Sequence, residues 1–267
     1  MQTIFLGPAG LGGKEEAPEN LEYFRQNKIS ACEIAFTYSV YLNNKASKEI
    51  GKLAKKLKIK LSIHAPYYIN LNSAEREKVV ASKDRILKCC ERAHHLNASP
   101  VVFHPGYFGK LDQKTTYDNI KAEILDMQDT IKANNWKVNL APETMGKISV
   151  FGSLDEILNL VKETRCSFCI DFAHLRARNL GKIDYPEIFK KLKPFKDIHC
   201  HFSGINFGPK GERNHIPTET KYIKELAQHI LKSKINTTII NESPNPIKDT
   251  LKTINVFTKL GYSFSEF

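Results

Sequence analysis

Apolar positions along the chain recur with two periods, and the two alternate. Short runs rich in branched and aromatic residues predict strands at 3–7 (TIFLG), 31–36 (ACEIAF), 59–64 (IKLSIH), 100–104 (PVVFH), 137–143 (KVNLAPE), 167–171 (SFCID), 196–202 (KDIHCHF) and 237–242 (TTIINE). Segments with apolar residues three and four apart predict helices over 18–27, 46–57, 74–97, 115–134, 153–164, 184–193, 218–233 and 247–260. Ser153 and Asp184 stand where N-caps belong, and Gly261 follows the final helix as a C-cap would. Eight strand-then-helix units, without a Pro/Ser-rich linker or a low-complexity tract, predict one α/β domain over residues 1–267, a closed parallel (β/α)8 barrel. A doubly wound open sheet is disfavoured, because GPAGLGG at 7–13 lacks the spacing of a dinucleotide-binding loop and reads as a flexible first βα loop.

Composition narrows the class only a little. The chain of 267 residues is long enough for a substantial core, and 41% hydrophobic with 26% charged residues is ordinary for a folded soluble protein. No apolar run approaches the length of a membrane span and MQTIFLGPAG carries no export signal, so a cytoplasmic protein is expected. The six cysteines lie in or beside apolar segments and read as reduced, buried thiols; the CxxC spacing of Cys166 and Cys169 has no second pair to complete a zinc site. Charge adds more. Forty Lys and Arg against 29 Asp and Glu leave +11, which suits a polyanionic partner, although a lysine-rich solvated surface such as residues 52–60 accounts for part of it.

Barrel enzymes carry their chemistry at the C-terminal ends of the strands. Here the third strand ends in His64, the fourth in His104, the fifth in Glu143, the sixth in Asp171 with His174 beyond it, the seventh in His201 and the eighth in Glu242. Each alone has a structural explanation, such as a helix cap for Asp171. Six successive strand ends bearing ligand-type residues, in a chain with nine histidines, point instead to metal. Imidazole and carboxylate without thiolate suit zinc, manganese or iron, and the set exceeds what one tetrahedral ion needs. A central carboxylate such as Glu143 is placed to bridge two ions, an arrangement suited to phosphodiester hydrolysis. The glycine-rich stretch 201–217 reads as a loop over this site, from which His215 reaches back. His94 and His95 read as helix-surface residues, His199 as strand packing, and Glu33 has no assigned role.

SIHAPYYINL (62–71), FHPG (103–106), APET (141–144), CIDFAH (169–174), HFSG (201–204) with a downstream histidine, and NESP (241–244) resemble, in order and spacing, the signatures of the endonuclease IV family over almost the whole chain. That family comprises (β/α)8 apurinic/apyrimidinic endonucleases with three zinc ions, which cut double-stranded DNA 5′ to an abasic site and leave a 3′-hydroxyl. The resemblance implies His64, His104 and Glu143 as ligands of a first zinc, with Glu143, Asp171, His201 and Glu242 around a second. It implies His174 and His215 as two of three ligands of a third, Glu143 as the catalytic residue, and Tyr67 and Tyr68 as a wedge in the DNA stack. The chain departs from the family at Arg213, where the pattern has an aspartate and arginine has no lone pair to offer. Glu212 is the neighbouring candidate; a site completed by water and an empty third site are the alternatives, and two or three zinc ions per chain are expected. Arg213 suits a phosphate contact instead. The family's arginine after the second strand has no match in TYSVYLNNK (37–45), leaving Asn44 and Lys45 as the nearest DNA-contact candidates. A monomer without membrane attachment is expected. The rival expectation is a single-metal sugar isomerase or epimerase, built from Glu143, Asp171, His201 and Glu242 alone. A further one is a non-catalytic binder of damaged DNA whose metal centre has degraded.

Overall fold

The computed structural model describes residues 2–264. In chain order the strands are β1 (Ile4–Pro8), β2 (Ala31–Ala35), β3 (Lys60–His64), β4 (Val101–Phe103), β5 (Leu140–Pro142), β6 (Cys169–Asp171), β7 (Asp197–Phe202), β8 (Gly204–Gly208), β9 (Gly211–Ile216) and β10 (Asn236–Asn241). Eight of them are parallel and form two arcs, β2-β3-β4-β5 and β1-β10-β7-β6, while β8 and β9 pair only with each other. Bridges between Ala9 and Glu33 and between Glu143 and Cys169 join the arcs at two seams and close the barrel. All eight expected strands are present, several shortened to three residues.

The helices are α1 (Ala17–Gln26), α2 (Asn44–Lys56), α3 (Arg76–Leu96), α4 (Gln113–Ala133), α5 (Leu154–Thr164), α6 (Phe172–Arg178), α7 (Tyr185–Leu192), α8 (Thr220–Ser233) and α9 (Pro246–Lys259). Each outer helix turns one apolar stripe to the barrel, as Ile120, Ile124, Met127 and Ile131 of α4 do. Ser153 opens α5 with a reciprocal cap, its side chain bonded to the Glu156 N–H and the Glu156 carboxylate to the Ser153 N–H. Asp184 caps α7 by accepting the Glu187 N–H at 3.0 Å. Gly261 lies one residue beyond the last helix's C-cap, at φ +87°, the left-handed conformation glycine adopts without strain. No helix among the described residues is long and apolar enough to cross a membrane.

Two elements differ from the sequence expectation. Helix α6 begins directly after β6 because Asp171 accepts the His174 N–H at 2.7 Å, so the helix-cap role of this residue is real. The stretch 201–217, expected as a loop, is strand to its tip: β7 runs through His201, and β8 and β9 form an antiparallel hairpin over the barrel mouth.

Candidate metal centre

The C-terminal strand ends bring their side chains to one buried point, the Glu143 carboxylate. His64 Nε2 and His104 Nε2 lie 3.2 and 3.1 Å from Oε2, while His201 Nδ1 and His174 Nδ1 lie 3.0 and 3.4 Å from Oε1. Glu242, just past β10, comes within 3.4 Å of His201 Nδ1. Ligand atoms gather in overlapping groups: His64 with His104 and Glu143; Glu143 with Asp171, His201 and Glu242; and Asp171 with His174 and His215, each group lying within 4.8 Å. The structure thus brings together the residues named from the sequence, with Asp171 joining His174 and His215.

The electrostatics of this cluster fit a cation. Burial pushes the Glu143 carboxyl up, but the His201 imidazole and hydrogen bonds from His104, His174 and His201 outweigh it and hold the group well below the usual carboxylate range. Glu242 is held at about 2, burial being outweighed chiefly by His201. Burial lowers His64, yet Glu143, Glu242 and Glu33 more than compensate and push it to about 9. Asp171 shifts the other way, raised by burial and by the charges of Glu143 and Glu242. Its Oδ1 is used in capping α6, while its buried Oδ2 has no hydrogen-bond partner among the described residues. A buried carboxylate oxygen without a donor is costly unless a metal or another partner takes it. Hard carboxylate and borderline imidazole donors, with His64 Nδ1 anchored on the Ala65 carbonyl and His174 Nδ1 on the Thr144 carbonyl, make a set that zinc fits.

The hairpin adds two more groups, through a bulge. Ile205 pairs with His215, Asn206 with Asn214, and then Phe207 with Glu212, so Arg213 is the extra residue. Cross-strand partners share a face, and Glu212, three positions before His215, would otherwise point to the opposite side. With the bulge, both face the barrel: Glu212 Oε2 lies 3.4 Å from His174 Nε2, and the His215 ring centroid is 5.2 Å from that of His174. His215 Nδ1 is held by Ser203 Oγ at 2.5 Å. Gly146 makes room for Glu212, since a methyl group there would lie 2.7 Å from Glu212 Cβ. Arg213 is exposed and lies over Gly208, beside a surface cleft of about 470 Å³ that Lys147, Ser149 and Lys210 also line.

Above the cluster opens a cavity of about 440 Å³ lined by His64, His104, His174, His215, Glu212 and Glu242 together with Tyr67 and Tyr107. Tyr67 stacks on His104 at 5.8 Å and is 53% exposed. Tyr68 is 62% exposed and stands 6.5 Å from Tyr38, itself 74% exposed. Lys45 is exposed on α2, but the Asn44 side chain is committed: it donates to Glu91 at 2.8 Å and accepts from Arg92. Asn44 therefore holds α2 to α3.

Sequence reasoning missed Tyr107, which lines the cavity, Tyr38, which is exposed beside Tyr68, and Glu33. The signal for Glu33 was present, a single carboxylate inside the apolar run of β2. Buried completely, it meets His199 Nε2 at 2.9 Å and His201 Nε2 at 2.8 Å, so His199 does more than pack a strand. Cys169 lies near these two histidines, without Cys166, and burial pushes its thiol well above the usual range.

A sequence profile described as xylose isomerase-like TIM barrel matches residues 21–260. An uncharacterized protein of Methanocaldococcus jannaschii is 34% identical over 96% of this chain and 98% of its own length. A protein named probable endonuclease 4, of Metamycoplasma arthritidis, is 28% identical over 77% of this chain and 79% of its own. Among solved structures, SacUVDE superposes with a TM-score of 0.76 at 16% identity, covering 98% of this chain and 99% of that one. Endonuclease IV from Thermus thermophilus gives 0.71 at 18%, covering 96% and 98%. A D-psicose 3-epimerase from Clostridium cellulolyticum gives 0.67 at 11%, covering 98% and 97%. At such identities the structural likenesses establish the fold alone. The profile spans most of the chain, and the protein belongs to the xylose isomerase-like TIM barrel family.

Proposed function

We propose that this protein is a zinc-dependent apurinic/apyrimidinic endonuclease that hydrolyses the phosphodiester 5′ to an abasic site in duplex DNA and leaves a 3′-hydroxyl. The observation that carries this reading is the surplus of ligand groups. A single-ion centre is complete with Glu143, Asp171, His201 and Glu242, yet His64, His104, His174 and His215 surround the same carboxylates. The similarity to proteins named probable endonuclease 4 and the +11 charge support a nucleic-acid substrate.

These residues would hold zinc, which would supply Lewis acidity to activate water near neutral pH and to neutralise charge on a phosphoryl group. Glu143 holds both halves of the centre, Oε2 towards His64 and His104 and Oε1 towards His174 and His201. Glu212 takes the place of the family's aspartate beside His174, while Arg213, Lys147 and Lys210 face the phosphate backbone from the outer side of the hairpin. Tyr67 and Tyr68, with Tyr107 lining the cavity and Tyr38 exposed beside Tyr68, fill the gap left by the missing base, each stack contributing about 1–3 kcal/mol. An abasic nucleotide has little stacking to lose, so its extrusion into the cavity selects the lesion.

A second reading is a single-metal sugar epimerase, favoured by the intact four-residue set and by epimerases among the structural neighbours. Against it, imidazoles crowd both oxygens of Glu143, whereas a proton-shuttling carboxylate needs a free oxygen facing the sugar.

The test combines metal content per chain with incision of a duplex bearing one tetrahydrofuran abasic analogue. Two or three zincs with a single cut 5′ to the lesion are expected, and Glu143→Gln should abolish the cut while DNA affinity is retained. One ion, no incision and epimerisation of a ketose would establish the second reading instead.

A further inference from the structure

Beneath the metal centre lies a second buried layer that the proposed chemistry does not use. On β7, His199 and His201 are two residues apart and both point into the barrel, with Cys200 facing the other way. Glu33, from the opposite arc, reaches between them. Its Oε2 lies 2.9 Å from His199 Nε2 and accepts from Ser62 Oγ at 2.7 Å, while its Oε1 lies 2.8 Å from His201 Nε2 in a charge contact rather than an aligned hydrogen bond, neither of those two atoms having a hydrogen-bond partner among the described residues. Among the described residues it pairs with no lysine or arginine, so these two imidazoles are the ring partners of a carboxylate with no solvent exposure. On its other side, His201 Nδ1 faces Glu143 at 3.0 Å and Glu242 at 3.4 Å.

We infer that Glu33 is a positioning residue for the metal centre: it fixes the orientation and tautomer of His201, with His199 and Ser62 holding Glu33 in turn. An imidazole ligates through a nitrogen that carries no proton. With Glu143 and Glu242 engaged by an ion, the negative charge of Glu33 beside Nε2 would favour the proton on that nitrogen and leave the Nδ1 lone pair facing the ion. Carboxylates in this relation to a ligating histidine also raise its basicity, and their loss typically costs about 10–100-fold in metal affinity. The inference rests on the metal-centre reading above but not on the identity of the substrate.

The test uses the full chain, stripped of metal and titrated with zinc against a chromophoric chelator, with cobalt(II) absorption as a second readout. Glu33→Gln preserves shape and removes the charge. It should weaken one ion by about 10–100-fold, leave the others at wild-type affinity, and shift the cobalt ligand-field bands; a carboxylate that only fills the core would change the melting temperature and not the spectrum. Wild-type affinity for every ion with an unchanged spectrum overturns the proposal, and so does an equal loss at all sites. If the glutamine variant does not fold, Glu33→Asp keeps the charge but withdraws it from His201 by one carbon–carbon bond; the same one-ion loss is expected, and wild-type binding again overturns the proposal. DNA incision is not read in this experiment. A chain that shows Glu33-dependent metal uptake but cuts no abasic DNA therefore refutes the nuclease reading alone.

Discussion

Replacing Gly146 by alanine tests whether Glu212 belongs to the centre. The backbone at Gly146 is not in the left-handed region, so the effect of a side chain is steric: a methyl group would lie 2.7 Å from Glu212 Cβ, 2.8 Å from its Oε2 and 3.1 Å from His174 Cδ2. Ordinary carbon contacts lie at about 3.5–4.0 Å, so Glu212 must retreat by roughly 1 Å or the hairpin must lift by as much. Lifting is opposed by the Glu212 N–H, which donates to the Gly146 carbonyl at 3.1 Å, and by the Lys147–Gly211 bridge. Turning the carboxylate relieves the Oε2 contact, but Cβ moves only with the backbone, so the hairpin shifts as well and the carboxylate leaves its place beside His174 on either route. A misplacement of about 1 Å in a catalytic constellation costs on the order of 100-fold in rate. Overpacking costs about 1–3 kcal/mol, which a barrel of ordinary stability survives. Gly146→Ala should stay folded, lose one ion per chain by plasma mass spectrometry, and incise the tetrahydrofuran duplex about 100-fold more slowly in single turnover; Glu212→Gln should behave alike. Full metal content at the wild-type rate would refute a role for Glu212.

Arg213→Ala should leave the metal content unchanged and reduce the slope of log affinity against log salt by about 0.9, the loss of one phosphate contact. Arg213→Asp, which restores the family residue, should gain no ion, because the bulge turns position 213 outward; recovery of an extra zinc would contradict that geometry. Tyr68→Ala should weaken binding to abasic duplex by about 1–3 kcal/mol and to intact duplex by much less, measured by fluorescence anisotropy. Equal losses on the two duplexes would rule out a wedge at the lesion. Zinc uptake at pH 7 should release protons, because the metal-free His64 ring, pushed to about 9, is charged at that pH and must become neutral to ligate. Apparent affinity should then rise from pH 7 towards 9 and fall on acidification. Calorimetry in buffers of different ionisation enthalpy measures the release, and a value of zero would refute the assignment.

The barrel was legible because its eight strands and most of its outer helices declare their own periods, and the candidate ligands were legible because strand ends in a barrel are fixed positions. His64, His104, Asp171, His201 and Glu242 needed no tertiary information beyond that. The hairpin was not legible, since its glycines, proline and charges read equally well as a loop and its register depends on one bulged residue. Without that register Arg213 is an unexplained substitution and Glu212 a guess; with it, the two residues face opposite sides for one reason. The helix-to-helix contact of Asn44 was hidden for a different cause. Its partners Glu91 and Arg92 lie on the next helix, a contact no local pattern encodes. Glu33 was visible as an isolated carboxylate in an apolar strand, but its role depends on which barrel layer it shares with His199 and His201.

Glu143 occupies a position that no other strand end offers. It stands at the seam where the arc β2-β3-β4-β5 meets the arc β1-β10-β7-β6, bridged to Cys169 across the gap. His64 and His104 follow strands of the first arc, and His174 and His201 belong to the second, so one carboxylate at the seam presents an oxygen to each. The single-ion set, by contrast, is drawn from the strand ends of β5, β6, β7 and β10, which run consecutively around the barrel across that seam. Adding histidines after β3 and β4, and a bulged hairpin after β7, extends that centre on both sides without moving its shared carboxylate. The same barrel thus offers a four-residue donor set or a larger one, and what separates the two in this chain is the residues flanking Glu143 rather than Glu143 itself.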